Sequence, residues 1–171
     1  MVRTCRSQLV YRPESEGSRM VVEVGQEAPD FTLKSADNEL VTLSSFRGTK
    51  NVVLVFYPWA FTGTCTGELC QIRDRIAAFS GEDVVTLAVS CDARFSLKIF
   101  ADQQGYTFPM LSDFWPHGQV ATSYGVFNEV AGVALRGTFI IDKAGVVRYT
   151  VINAIPDARD PDAYEAVLAT L

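Results

Sequence analysis

Residues 51–58 read NVVLVFYP, an unbroken run of β-branched and aromatic side chains that stops at a proline. A strand with one wet face alternates apolar and polar residues, so a run without alternation predicts a strand covered on both sides. A sheet with two covered faces needs helices to cover it, which points to an α/β sandwich. The flanking sequence agrees. VVTLAVS at 84–90 is a second buried run, and SLKIFADQQG at 96–105 reads as a helix ended by Gly105. FPMLSD at 108–113 reads as a short strand. Between Thr64 and Phe79, the apolar residues Leu69, Ile72, Ile76 and Phe79 recur at three and four positions, a helical period closed by Gly81. HGQVATSYGV predicts a helix starting near Pro116, and PDAYEAVLATL a closing helix capped by Asp160 ahead of Pro161. Two hairpins are expected. One turns at Asp37-Asn38 near the N-terminus, and the other at Asp142–Gly145 within GTFIIDKAGVVRYTVI. The expected architecture is a central mixed β-sheet flanked by helices, with an N-terminal β-hairpin.

At 171 residues, the chain suits one domain that buries about 70% of the surface its unfolded form exposes. Residues 1–19 differ from the rest: four arginines and two glutamates, with no apolar core of the kind a secretory signal carries. They are expected to form a disordered tail, added by an upstream start codon, with the domain at 20–171. The net charge of −5 argues against a nucleic-acid partner. No apolar stretch approaches the roughly 20 residues of a membrane span. A cytoplasmic, reducing compartment is therefore expected, where paired cysteines are more often catalytic than structural.

Two of the four cysteines lie five positions apart in YPWAFTGTCTGELC, residues 57–70. They are packing residues, metal ligands, or a nucleophile and its partner. Structural zinc needs four ligands, usually in tight Cys or His pairs, and the one histidine is His117. A Cys-x-x-Cys redox pair is absent, and no histidine lies near Cys65 in sequence to act as its base. Cys65 falls where a buried strand hands over to a helix, and the helix N-terminus favours a negative sulfur. An ordinary thiol with a pKa of about 8.5 is only a few per cent thiolate at neutral pH. Lowering it to about 6 raises that fraction roughly thirtyfold, so further stabilisation of the breaking bond is required.

Pro58-x-x-x-Thr62-x-x-Cys65 resembles the active-site motif of the peroxiredoxins, the AhpC/TSA superfamily. The resemblance runs from about Val24 to the C-terminus through VGQEAPDFTL, VVLVFYP, FPMLSD, YGV and RGTFIIDKAGVVR, in that order. It implies a thioredoxin-like fold and a thiol-dependent peroxidase that reduces hydrogen peroxide and organic hydroperoxides without a metal or organic cofactor. It implies Cys65 as the peroxidatic cysteine, which becomes a sulfenic acid. Thr62 becomes the hydroxyl that bonds sulfur and peroxide, Arg136 the cation beside them, and Pro58 the residue that shields the pocket. Read without the resemblance, Thr62 is a helix cap, Arg136 a surface arginine and Pro58 a strand end.

Cys70 stands where the resolving cysteine lies in the group similar to bacterioferritin comigratory protein. LSDFWPHG, YGVFNE and IFADQQGYTFP are instead similar to the alkyl hydroperoxide reductase E group, which works with one cysteine and an external thiol. The reductant implied is thioredoxin if Cys65 and Cys70 join, or mycothiol with a mycoredoxin if the sulfenic acid persists. A thioredoxin-fold redox sensor or chaperone is the alternative outside catalysis. Cys91 reads as a strand-end core residue, with a second resolving thiol as the weaker alternative, and Cys5 as non-catalytic. Trp59 and Phe61 are core, or else an exposed apolar mouth for organic hydroperoxides or a homodimer contact.

Overall fold

The computed structural model describes residues 21–171; the expected boundary after residue 19, and Cys5, lie outside them. β3 (Asn51–Phe56) is buried at every position, as its composition predicts. Its side chains alternate between two cores. Val52, Leu54 and Phe56 join a cluster with Leu87, Tyr124 and Phe139 on one face of the sheet. Val53 and Val55, with Tyr57 beyond them, join Leu69, Ile72, Phe79, Leu97 and Phe100 on the other. The run is unbroken because each face has its own hydrophobic layer to fill.

β3 lies inside a seven-stranded sheet of order β2-β1-β5-β4-β3-β8-β9. The other strands are β1 (Thr32–Ser35), β2 (Leu40–Thr42), β4 (Val84–Ser90), β5 (Met110–Ser112), β8 (Arg136–Ile141) and β9 (Val147–Asn153). β4 runs parallel to both β3 and β5, while β8 runs antiparallel to β3. The two expected hairpins, β1–β2 and β8–β9, occupy opposite ends of the sheet. Helices α1 (Gly63–Asp74), α2 (Ile76–Phe79), α3 (Arg94–Gln104) and α5 (Asp162–Leu168) contribute to the second core. Helix α4 (Gln119–Ser123) packs in the first, and a ribbon of β6 (Phe127–Asn128) and β7 (Val133–Ala134) lies outside the main sheet.

Two helices depart from expectation. The span 64–79 is broken at Arg75, whose backbone leaves the helical region at φ −112°, ψ 27°. Its guanidinium reaches Asp162 and Glu165 of α5, and the restart as α2 keeps Phe79 in the core. The helix expected near Pro116 starts only at Gln119. Gly118 before it has φ +67°, and a Cβ there would lie 2.1 Å from the Phe127 ring, so only glycine fits. The Asp113 carboxylate then accepts the amides of Val120 (3.1 Å) and Ala121 (2.9 Å), fixing where helical bonding begins. The N-cap of α5 is Pro161, one residue past the expected Asp160, whose carboxylate still accepts the first helical amide, that of Asp162, at 3.0 Å.

This topology brings one set of ends together. The carboxyl ends of β3 and β4 and the amino end of β8 share an edge of the sheet, where parallel strands commonly present ligand sites. Among the described residues, no helix is long and apolar enough to cross a membrane.

Candidate active site

At that edge the chain leaves β3 through Tyr57 and Pro58, both buried, and turns into α1. The turn is made at Phe61, which has φ +63°, a left-handed conformation that costs a non-glycine residue about 1–3 kcal/mol. Two contacts hold it. The Phe61 ring packs on Phe100 at 4.9 Å, and the Ala60 amide donates to the Asp92 carboxylate at 2.9 Å. Trp59 and Phe61 are 38% and 52% exposed, so they form an apolar rim and not the core.

Thr62 is the N-cap of α1 by its backbone: its carbonyl accepts the Thr66 amide at 2.9 Å. Its hydroxyl makes no cap bond and donates to the Trp59 carbonyl at 3.2 Å. The amides of Gly63, Thr64 and Cys65 precede the first intrahelical bond and have no acceptor within the helix. Cys65, the third helical residue, is 0% exposed and packs with Tyr57, Leu69 and Ile72.

Arg136 opens β8 and is 2% exposed, so it is not a surface arginine. Its Nε donates to the Ile155 carbonyl at 2.6 Å, and its Nη1 pairs with the Glu68 carboxylate. Glu68 lies one turn beyond Cys65, on the same face of α1. It also receives Arg159, which donates its amide (2.7 Å) and Nε (3.0 Å) to Oε1 and its Nη2 (3.0 Å) to Oε2. Arg159 Nη1 then donates to the carbonyls of Phe56 and Gly137, both at 2.8 Å, tying the end of β3 to the start of β8. Burial pushes the Glu68 carboxyl upward, but the bonds and charge of Arg159, then Arg136, outweigh it and hold its pKa below the ordinary value. Two guanidiniums share one carboxylate, so the buried cluster, anchored on Glu68 one turn along α1 from Cys65, carries one net positive charge.

Sequence reasoning missed Glu68 and Arg159. Glu68 had a signal: a carboxylate on the buried face of α1, beside Leu69 and Ile72, requires a cation. Arg159 had none, since it sits in the irregular segment between β9 and α5.

Cys70 is half-buried, with Sγ 3.8 Å from Gln104 Oε1 and 3.7 Å from the Tyr106 hydroxyl. Helix α1 is continuous from Cys65 to Cys70, and both thiols are free. Five residues of helix give about 7.5 Å of rise and faces roughly 140° apart, whereas a disulfide needs Cα atoms within about 7 Å. Cys91 is a buried strand-end residue, its thiol pushed up to about 12 by burial and the nearby Asp113 charge. His117 is bound by the carbonyls of Gly132 (2.7 Å) and Phe114 (3.3 Å). Among the described residues, no group of three or more His, Cys, Asp or Glu side chains is placed to hold a metal ion.

Comparison with known proteins bears on what this arrangement does. Residues 24–150 match the AhpC/TSA family. Alkyl hydroperoxide reductase E of Mycobacterium tuberculosis is 50% identical over 151 residues, covering 88% of this chain and 99% of that one. Thioredoxin peroxidase of Echinococcus granulosus is 39% identical over 153 residues, covering 84% and 78%. Among solved structures, the crystal structure of peroxidoxin BcpB from Mycobacterium tuberculosis superposes with a TM-score of 0.78 at 29% identity, covering 88% of this chain and 98% of that one.

Proposed function

From the premise that this chain belongs to the AhpC/TSA family and is a thiol-dependent peroxidase of thioredoxin-like fold, we propose that Cys65 is its peroxidatic cysteine. The observation that carries the assignment is the buried Glu68–Arg136–Arg159 cluster with its surplus cation, one turn from a sulfur at a helix N-terminus. The Cys65 thiolate attacks one oxygen of the hydroperoxide. The O–O bond breaks, the sulfur becomes a sulfenic acid, and the departing oxygen takes a proton and leaves as water or an alcohol. Charge builds on that oxygen in the transition state. Donors turned toward it lower the barrier directly: the free amides of the first helical turn, Arg136, and the Thr62 hydroxyl once it leaves the Trp59 carbonyl that it bonds here. Pro58, buried at the base of the loop, excludes water from the sulfur. The exposed rim of Trp59 and Phe61 suits organic hydroperoxides and a homodimer contact.

Cys70 is the resolving thiol in this reading. Its attack on the sulfenic acid requires the Thr64–Gln71 segment to unwind. Gly63 and Gly67 weaken that end of the helix by about 1 kcal/mol each relative to alanine. An external thioredoxin-like dithiol in the cytoplasm then reduces the disulfide. The unbroken α1 favours a second reading, in which the sulfenic acid persists and an external thiol such as mycothiol, with a mycoredoxin, reduces it. Intact mass after one equivalent of hydrogen peroxide separates the two: loss of two hydrogens means the disulfide, gain of one oxygen means the sulfenic acid. An unchanged mass overturns the assignment of Cys65.

A further inference from the structure

One contact lies on the stretch of α1 that must unwind, and the chemistry at Cys65 makes no use of it. The Tyr106 hydroxyl donates to the Thr66 carbonyl at 3.4 Å and lies 3.7 Å from Cys70 Sγ. In an α-helix, the carbonyl four residues before Cys70 is the one its own amide uses. Tyr106 therefore donates to the carbonyl of the turn that links the two cysteines and lies in contact with its sulfur. The ring behind the hydroxyl is fixed. It is stacked on Phe108 at 5.2 Å, set edge-on to Phe100 at 5.3 Å, and only 8% of the residue is exposed. Gln104, at the end of α3, adds its Oε1 at 3.8 Å from the same sulfur, and its carbonyl accepts Arg73 Nη1 at 2.6 Å. The connection between α3 and β5 thus grips α1 at Thr66, Cys70 and Arg73.

We propose that Tyr106, seconded by Gln104, is the latch that holds the 66–70 turn helical and so sets how fast the oxidised enzyme passes to its disulfide. The proposal rests on the reading of Cys70 as the resolving thiol. In the step it controls, the Cys70 sulfur attacks the sulfenic sulfur of Cys65. A Cys70–Cys65 S–S bond forms, the Cys65 S–O bond breaks, and the hydroxide leaves as water with the Cys70 proton. Cys70 cannot approach until its own helical turn opens, and opening breaks both Tyr106 contacts. While the latch is closed, the sulfenic acid stays exposed to a second peroxide, which converts it to sulfinic acid, or to an external thiol. Tyr106 is a positioning residue: it acts through Cys70 and does not touch the substrate.

The test uses the full-length reduced protein and its Tyr106→Phe variant, which keeps the stacked ring and removes only the hydroxyl. After one equivalent of hydrogen peroxide, samples are quenched with an alkylating agent over time and the disulfide is counted by mass. Loss of one modest hydrogen bond predicts disulfide formation about 2–10-fold faster, with a matching fall in sulfinic acid at high peroxide and no change in the first oxidation step. Gln104→Met, which removes the second partner of the sulfur, moves the same way by less. A purely structural role for Tyr106 would lower the melting temperature and leave the ratio of disulfide to sulfinic acid alone. If the wild type forms the disulfide and Tyr106→Phe forms it at an equal or slower rate, the latch is wrong and the role of Cys70 stands. If the wild type forms no Cys65–Cys70 disulfide, both ideas fall together.

Discussion

Cys65 and Cys91 are both removed from solvent, at 0% and 6% exposure, and both lie at the carboxyl edge of neighbouring parallel strands. Their surroundings have opposite sign. Cys91 follows β4 beside the carboxylates of Asp113 and Asp92, and burial together with those charges raises its thiol from 9.0 to about 12. Cys65 sits at a helix N-terminus one turn from Glu68, whose carboxylate two guanidiniums share. Burial makes any charge expensive, and under the proposed assignment of Cys65 the fixed charges nearby are what separate a nucleophile from a small core residue.

Removing each sulfur is the severest challenge to this contrast. Cys65→Ser should abolish peroxide consumption, whereas Cys91→Ala should leave it within about twofold, since its thiol is held protonated. A peroxide-consumption assay with a thiol reductant decides the matter. The contrast breaks if Cys91→Ala is also dead while still folded.

Stripping the cation comes next. Arg136→Met should lower the second-order rate of Cys65 oxidation by about 10²–10³, the usual cost of a donor aimed at developing charge. Stopped-flow tryptophan fluorescence reads it. A rate close to wild type would mean that Arg159 or the helix terminus alone sustains the chemistry.

Glu68→Gln leaves two buried guanidiniums without their counter-charge, and breaking a buried pair in this way costs about 3–5 kcal/mol in denaturant unfolding. The same carboxylate governs acid behaviour. Its folded pKa lies below the ordinary value of 4.5, so its contribution to stability is complete above 4.5 and is lost as pH falls through the lower folded value. As pH falls below about 4.5, the Gln variant should therefore lose less stability than the wild type. An identical acid limb in both would show that the cluster does not report on Glu68.

Gly67→Ala is the mildest probe. A Cβ at Gly67 meets nothing within 4 Å, so alanine should be accommodated and stiffen α1 by about 1 kcal/mol. First oxidation should be unchanged and the Cys65–Cys70 disulfide should form roughly fivefold more slowly. An unchanged rate would argue that the helix does not unwind between the two cysteines.

Much of the molecule is legible in its sequence because the signals are local. NVVLVFYP had to be a doubly covered strand, since its alternate residues fill two separate cores. Asp37-Asn38 and Asp142–Gly145 had to turn: Asn38 and Gly145 carry φ of +68° and +86°, which asparagine and glycine tolerate. The motif from Pro58 to Cys65 spans one loop and one helical turn, so spacing alone could place Thr62 and Cys65 together. Tertiary structure decided the rest. Arg75 breaks a helix whose period is uninterrupted, because its partners are in α5. Gly118 delays α4 because Phe127, on the β6 strand that follows, occupies the space a side chain would need. Arg136 and Arg159 become one site only when β8 lies against β3 and the segment before α5 folds back over both ends. Local pattern fixes which residues must be buried and where the chain must bend. Which buried charges meet depends on contacts between distant segments, and those exist only once the sheet has closed.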